Sequence, residues 1–285
     1  MKKKLITVML ILLLLIGLSL MLYPSLSNWW NSVHQSKVIM GYLNSIESLS
    51  DEDCEKALAE AQVYNRRLLS NTNRYQPTED EESEYLQLLN VSGNGVMGII
   101  EIPKIGVNLP IYHKTENDIL QFAAGHLMGT SLPVGGNGTH CVISGHRGLP
   151  SAKLFTDLDK LQVGDQFYVY VLNETLVYEV DQILTVEPTN LEALEIEEDK
   201  DYFTLVTCTP YSINTHRLLV RGRRISPAAE EIEYHFSAEA MRIEASIVAP
   251  FVAIPFLVLL LVLLLIEGMI RKRSRKRRNK HKSTV

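Results

Sequence analysis

The sequence predicts a mainly β protein, with a barrel-like domain between two membrane-spanning segments. Three observations support this fold class: short apolar runs split by Gly, Pro, Asn or Asp between residues 96 and 225, helical spacing before them, and a long uncharged apolar run near each end. Many short strands with few helical insertions are typical of a closed β-barrel formed by one domain. The strand pattern alone does not distinguish a barrel from a sandwich.

The terminal apolar runs predict a transmembrane helix at each end. Residues 5–23 and 245–266 contain no charge, and each run is long enough to cross a bilayer core of about 30 Å. Three lysines precede the first run, and nine Lys or Arg residues follow the second. The positive-inside rule therefore predicts a multi-pass protein of the cell membrane, with both termini cytoplasmic and the domain between them extracellular. A cleaved signal ending near residues 25–27 is the alternative for the first run.

A helical extension is expected before the barrel. Ser50 is a typical N-cap for a helix over residues 51–69, which would pair with an earlier helix over residues 30–49. Cys54 is interpreted as a packing residue on this helix, and a disulfide between Cys54 and Cys141 is the less favoured alternative. The apolar residues that recur at helical spacing are Cys54, Leu58, Ala61 and Leu68.

The charge distribution argues against a nucleic-acid partner. The chain has 28 Lys plus Arg and 33 Asp plus Glu, but twelve of the basic residues lie in the two terminal flanks. The segment between the membrane runs keeps 16 basic residues against 32 acidic ones. An acidic domain does not suit nucleic acid. The charge is interpreted as favouring solubility and distance from anionic lipid, with attraction of a lysine-bearing substrate as a second interpretation.

Six segments follow from these patterns. In chain order they are a transmembrane segment or signal anchor (1–24), a helical extension (25–90), the β-barrel domain (91–227), a linker (228–246), a C-terminal transmembrane helix (247–270) and a basic cytoplasmic tail (271–285). A helical insertion is expected over residues 151–161. The predicted strands are 96–105, 107–113, 140–146, 166–172, 176–186, 202–208 and 217–225.

Cys208 and Arg217 flank a predicted turn between two apolar strands. Pro210 and Asn214 lie between them and mark the turn. If the strands pair antiparallel, the thiol and the guanidinium lie at the same end of the sheet. A nucleophile beside a permanent positive charge suits acyl transfer, whereas a buried packing role for Cys208 is the alternative.

His146 is the candidate acid/base partner of this thiol. It ends another short apolar strand and is followed by Arg147 and Gly148. A cysteine with a histidine elsewhere in an extracytoplasmic chain is the arrangement expected of a thiol nucleophile and its proton carrier. Seven other histidines are present, so spacing alone does not select His146.

Several long segments stand out in order along the chain. The strongest are SGHRGLPSAKLFTDL at 144–158, TLVTCTPY at 204–211 and NTHRLLVRG at 214–222, and the others are 95–105, 109–113 and 125–136. These segments resemble the sortase family, most closely its class C branch, which assembles pili. The resemblance covers about residues 90–226 together with the membrane segments.

The resemblance implies the sortase barrel and a cysteine transpeptidase. Cys208 would attack the threonine carbonyl of a Leu-Pro-X-Thr-Gly-like sorting signal, and a pilin lysine would resolve the thioester. His146 would act as acid and base, and Arg217 would stabilise the developing oxyanion. Arg221, Arg147 and His140 are interpreted as supporting residues. The implied partners are pilin subunits that carry the sorting signal and an acceptor lysine, and no cofactor or metal is expected.

Two alternatives to pilin polymerisation remain. A wall-anchoring sortase would use the same three residues with a peptidoglycan-precursor amine, and a membrane-tethered binding or scaffold domain would leave Cys208 inert. Class C sortases commonly carry an Asp-Pro-aromatic lid over the cysteine. Residues 71–80 lack that triplet, although Tyr75 and Pro77 approximate it.

Two further motifs are set aside. Residues 93–98 match the glycine pattern of dinucleotide-binding proteins, but they open a strand, whereas that motif opens a helix. The acidic residues between 192 and 201 are interpreted as a solvated loop, because carboxylates bind calcium only when several of them converge.

Overall fold

The computed structural model describes residues 2–226. Residues from Ser27 onward belong to one compact unit, and the preceding residues belong to a second. The predicted linker (228–246), C-terminal transmembrane helix (247–270) and basic tail (271–285) lie outside the described residues.

Helix α1, Lys2–Glu47, contains the first apolar run. Within residues 2–226 it is the one helix long and apolar enough to cross a membrane. The sequence predicts a membrane segment ending at residue 24 and a separate helix over residues 30–49, whereas the structure has one continuous helix with Pro24 inside it. Proline removes a single N–H donor, and apolar membrane helices tolerate that loss.

Two capped helices follow. Helix α2, Asp51–Ser70, confirms the prediction over residues 51–69 and is capped by Ser50 through a capping box with Asp53. Helix α3, Glu79–Gln87, was not predicted, although Thr78 and Glu81 form a second capping box that the sequence contains. The disulfide alternative is wrong, because Cys54 and Cys141 are both free and buried.

Eight strands form a closed barrel, which confirms the predicted β-barrel over a sandwich. The strands are β1 Val96–Ile102, β2 Val107–His113, β3 Ala124–His126, β4 Thr139–Ser144, β5 Gln166–Val171, β6 Glu174–Val186, β7 Asp201–Thr209 and β8 His216–Ile225. The order around the barrel is β1-β2-β3-β4-β7-β8-β6-β5. The β2–β3 and β4–β7 pairs are parallel, and the other pairs are antiparallel.

The barrel interior is closed by large side chains from several strands. The rings of Phe167, Tyr178 and Phe203 lie within 5.2–5.7 Å of one another, centroid to centroid. All three side chains are fully buried. Aromatic groups at this spacing add to the stability that their buried area already supplies, so the interior is a packed core rather than a channel.

Tyr42 anchors the part of α1 after Ser27 to the barrel. This side chain is fully buried. Its hydroxyl donates to the Met97 carbonyl at 3.1 Å and accepts the Leu172 N–H at 3.0 Å. The helix is therefore bonded to strand β1 and to the β5–β6 turn.

The prediction of a helix over residues 151–161 is wrong. Its one regular element is a short 3-10 turn, Leu158–Lys160. Leu154 has a left-handed φ of 40°, which a helix does not accommodate. The Phe155 N–H donates to the His146 carbonyl at 3.1 Å, so the segment folds back onto the end of β4.

Acid should destabilise the barrel because two histidines are buried and neutral. Burial lowers the pKa of His126 and of His140 to about 4 each. The unfolded chain, with histidine pKa values near 6.5, binds these protons first. We expect the free energy of unfolding to be intact above pH ~6.5 and to fall by roughly 3 kcal/mol per histidine towards pH 4.

Chemical denaturation of the full chain in detergent, followed by circular dichroism between pH 7.5 and 4, measures this dependence. The matched variant His140→Gln keeps a polar side chain but does not titrate, so its stability should fall less steeply. Identical slopes for His140→Gln and the parent chain would contradict the prediction for His140.

Candidate active site

Cys208 and Arg217 lie directly across from each other on neighbouring strands. Their Cα atoms are partners in the antiparallel β7–β8 pair. Cys208 is partly exposed, whereas the other two cysteines are buried. Burial also raises the pKa of the Cys141 thiol well above its usual range. Because the other two cysteines are buried, Cys208 is the accessible thiol of this chain.

His146 reaches the same edge of the barrel from the parallel strand β4. Ser144 and Val206 are the last paired residues of β4 and β7. Beyond them the Gly145 N–H donates to the Val206 carbonyl at 3.1 Å, and the buried Thr207 hydroxyl donates to the Gly145 carbonyl at 2.7 Å. The residue before His146 is thus bonded to the two residues before Cys208, which fixes both backbones relative to each other.

Gly145 is required by the packing beneath His146. A Cβ at this position would lie 2.7 Å from the ring of Phe155, which is closer than a Cβ atom approaches a non-bonded atom in real structures. The close approach lets the segment after His146 fold under it, and the Phe155 N–H donates to the His146 carbonyl at 3.1 Å. The aromatic ring therefore supports the backbone that carries the imidazole.

The imidazole of His146 is partly buried, and burial lowers its pKa. Its Nε2 atom lies 3.5 Å from Oδ1 of Asn117, a long contact at the start of helix α4, Asn117–Leu120. A lowered pKa keeps most of the imidazole neutral at pH 7. An ion pair of thiolate and imidazolium would therefore be a minority state.

Arg217 is oriented by its own turn. Its Nη1 atom donates to the Asn214 carbonyl at 3.3 Å and to the His216 carbonyl at 3.1 Å. A guanidinium has five N–H donors, so these two bonds leave donor capacity for another carbonyl or oxyanion.

Arg147 connects the segment after His146 with the turn after Cys208. Its guanidinium forms an ion pair with Asp159 and lies 3.5 Å from the Thr209 hydroxyl. It also lies over the ring of Tyr211, 5.9 Å from the centroid. The sequence indicates a supporting role for Arg147, and these contacts assign it to holding two loops together.

The other two supporting candidates lie away from Cys208. His140 is near the start of β4, where its ring nitrogens contact the Glu195 carbonyl at 2.8 Å and the Thr204 hydroxyl at 2.7 Å. Arg221 pairs with both carboxylate oxygens of Asp181 at 2.9 and 3.0 Å. Both groups bond to partners other than the three site residues, and a supporting role of His140 or Arg221 in the reaction stays a prediction.

The lid suggested by Tyr75 is not over the thiol. A Cβ at Gly129 would lie 2.6 Å from the Arg74 carbonyl oxygen and 2.8 Å from the Tyr75 ring, and Arg74 pairs with Glu195 at 2.9 Å. Glu195 also contacts His140, near the start of β4. Because β4 and β7 are parallel, this is the barrel end opposite Cys208.

We therefore expect Tyr75→Ala to leave peptide cleavage unchanged. The variant loses the contact with Gly129 and the contact of the Arg74 guanidinium, which lies 5.0 Å from the centroid of the Tyr75 ring, so a small loss of thermal stability is the expected effect. Initial cleavage rates of the full chain and the variant, at equal protein concentration, measure this. A clear rate increase in Tyr75→Ala would contradict this and indicate that the Tyr75 segment acts as an inhibitory lid.

Within residues 2–226, no three His, Cys, Asp or Glu side chains converge as metal ligands. Of the acidic residues between 192 and 201, Glu195 pairs with Arg74, and Asp201 accepts the Gly136 N–H and the Tyr178 hydroxyl. These two carboxylates have structural partners.

Comparison with known proteins supports the resemblance. A family model described as a sortase domain matches residues 100–225. Among curated relatives, Sortase D of Bacillus subtilis is 30% identical over 45% of this chain and 64% of its own length. Sortase A of Bacillus anthracis is 31% identical over 48% of this chain and 63% of its own length. The matched region thus spans just under two thirds of these relatives.

Solved structures match over a larger share of this chain and of their own length. Sortase C1 of Streptococcus agalactiae is 48% identical, with a TM-score of 0.66, and the match covers 67% of this chain and all of that one. Clostridium perfringens sortase C, solved with the C-terminal cell wall sorting motif, is 44% identical with a TM-score of 0.60, and the match covers 67% of this chain and all of that one. This chain belongs to the sortase family, within its class C branch.

Proposed function

We propose that this chain is a membrane-anchored cysteine transpeptidase that cleaves a Leu-Pro-X-Thr-Gly-like sorting signal and joins pilin subunits. The observation that carries the proposal is the common edge of β4, β7 and β8. There Cys208 faces Arg217 across the ladder, and the Thr207–Gly145 bond holds the backbone next to His146. The Clostridium perfringens relative, solved with a sorting motif, supports the substrate class.

The first half-reaction forms a thioester. The Cys208 thiolate attacks the carbonyl carbon of the substrate threonine, and negative charge develops on the carbonyl oxygen. Arg217 stabilises that oxygen with the donors that its turn leaves available. The C–N bond to glycine then breaks, and the His146 imidazolium gives its proton to the departing amine.

The second half-reaction returns an amide. A lysine amine of the next pilin attacks the thioester carbonyl, neutral His146 removes its proton, and the C–S bond breaks. One amide is exchanged for another, so no nucleotide or other energy source is consumed. Because burial lowers the His146 pKa, the reactive thiolate–imidazolium pair is scarce at neutral pH, and turnover is expected to be slow.

The proposed location is the cell membrane, with the barrel outside the cell. Helix α1 supplies one apolar span. We propose that residues 247–270 form a second span and that the basic residues after it remain in the cytoplasm, by the positive-inside rule. Both anchors would hold the barrel where membrane-bound pilin precursors arrive.

The acceptor is tested by supplying two amines together. The full chain in detergent is incubated with a purified pilin that carries the sorting signal, in the presence of an oligoglycine amine. Ladders of crosslinked pilin on denaturing gels support polymerisation. Exclusive transfer to oligoglycine would favour the wall-anchoring alternative, and no consumption of pilin would overturn both.

A further inference from the structure

One face of α1 carries an amide stripe, which we define as Asn28, Asn31 and Gln35. Their spacing of three and four residues places them in a row on the helix. All three are partly buried, whereas Trp29, Trp30 and the residues 32–34 are exposed. Polar side chains that turn inward along a helix need partners there, and each of these amides has one.

Two of the amides bind the backbone of the segment that follows His146. The Asn31 amide nitrogen donates to the Ser151 carbonyl at 2.8 Å. The Asn28 amide oxygen accepts the Lys153 N–H at 2.8 Å. The bonds have opposite polarity, because one side chain donates and the other accepts.

The third amide binds the segment on the other side of His146. The Gln35 amide nitrogen donates to the Phe122 carbonyl at 2.7 Å, and the neighbouring His34 ring packs edge-on against Phe122. Phe122 closely follows α4, whose first residue, Asn117, lies 3.5 Å from Nε2 of His146. One helix face therefore holds both segments that flank the imidazole.

The link from the stripe to His146 is short. Lys153 is two residues from Phe155, which donates to the His146 carbonyl at 3.1 Å and packs against Gly145. The segment between them turns at Leu154, which has a left-handed φ, and the Thr156 N–H closes this turn by donating to the Lys153 carbonyl at 2.9 Å. Tyr42, farther along α1, fixes the helix itself to the barrel.

We propose that the amide stripe positions His146 for acyl transfer, so that α1 is part of the catalytic apparatus as well as an anchor. Asn28, Asn31 and Gln35 are positioning residues, since they act through the backbone of the loops and not on substrate. The effect on turnover rests on the proposed function. Its physical basis is that a displacement of about 1 Å in a reacting group can cost as much as 10²-fold in rate.

The opposite polarity of the two bonds provides a matched pair of variants. Asn28→Asp keeps an acceptor for the Lys153 N–H, whereas Asn31→Asp places a carboxylate against the Ser151 carbonyl. Both add one negative charge to the same helix. Ser36→Asp adds the same charge on the exposed face, where the Ser36 hydroxyl bonds only to its own helix at Ser32.

We expect kcat for peptide cleavage to fall about tenfold in Asn31→Asp with little change in KM, and to fall less in Asn28→Asp, whose carboxylate still accepts the Lys153 N–H. In Ser36→Asp, which lies outside the amide stripe, kcat should stay near the parent value. Asn31→Ala removes the donor without adding charge and should show the same loss. It therefore tests the proposal even if Asn31→Asp does not fold. Equal rates in all four variants, or equal losses in Asn28→Asp and Asn31→Asp, would overturn the proposal.

A readout that needs no turnover separates this proposal from the proposed function. The His146 Cε1 resonance, recorded by ¹³C-edited NMR of the full chain in detergent and assigned with a His146→Asn variant, should move in Asn31→Ala and remain in place in Ser36→Asp. If the parent chain cleaves no peptide but the resonance moves as expected, the transpeptidase proposal fails and the positioning role stands. An unmoved resonance in Asn31→Ala overturns the positioning role.

Discussion

Replacing Cys208 with alanine should abolish both peptide cleavage and pilin crosslinking, a loss of about 10³-fold or more. The thiol is the group that accepts the acyl chain, and no neighbouring side chain replaces it, because Cys54 and Cys141 are buried. Cleavage of an internally quenched Leu-Pro-X-Thr-Gly peptide by the full chain in detergent measures the loss.

The control for this variant is Cys54→Ala. Cys54 lies on α2 and packs in the hydrophobic core, so its removal should lower stability by the cost of a small cavity and leave the cleavage rate nearly intact. Circular dichroism confirms folding in both variants. Cleavage retained in folded Cys208→Ala would remove the nucleophile from its assigned position.

Replacing Arg217 with alanine should lower kcat by about 10²- to 10³-fold, the usual range for removing a donor to a developing oxyanion. The register of β7 and β8 places its Cα directly opposite that of Cys208. Arg217→Lys keeps the charge but loses the planar fork and its bonds to the turn carbonyls, so we expect intermediate activity. Steady-state kinetics should show the change mainly in kcat.

A matched control for Arg217 lies on the same strand. Arg223 is exposed and pairs with Glu179. It lies opposite Tyr202, at the end of the β7–β8 pair that is far from Cys208. Arg223→Ala should therefore leave kcat and KM unchanged. Equal losses in the Arg217 and Arg223 variants would mean that a general electrostatic effect, rather than a local donor, governs the rate.

Much of the fold follows from local patterns in the sequence. Helix α2 carries its own cap and apolar spacing, and seven of the eight strands are apolar runs bounded by turn residues. Strand β3, Ala124–His126, was missed because three residues carry no periodicity, and it exists only through pairing with β2 and β4. The segment 151–161 has helix-forming residues, but packing of Phe155 under Gly145 overrides that preference.

The candidate site was predictable to a different extent. Cys208 and Arg217 flank a turn, so an antiparallel hairpin brings them together from local sequence alone. His146 needed the family resemblance, because the parallel β4–β7 pairing is a long-range contact. The stripe on α1 has no local signal for its function, since two asparagines and a glutamine at helical spacing identify their loop partners only once the chain is folded.

The position of the Tyr75 segment also could not be predicted from the sequence. Residues 71–80 follow α2, and the barrel end at which they pack depends on contacts with Gly129 and Glu195. Those contacts join residues far apart in the chain, and no spacing within the segment predicts them. The resemblance to class C sortases suggested a lid, and the packing assigns the segment to the end of the barrel opposite Cys208.

The intact mass of the full chain after incubation with a Leu-Pro-X-Thr-Gly peptide tests the central claim most directly. We predict one added acyl fragment that ends at the substrate threonine, mapped by proteolysis to Cys208 and released by hydroxylamine as expected of a thioester. An unmodified chain, under conditions where the peptide is soluble and the protein folded, or an adduct at any other residue, would contradict acyl transfer through Cys208.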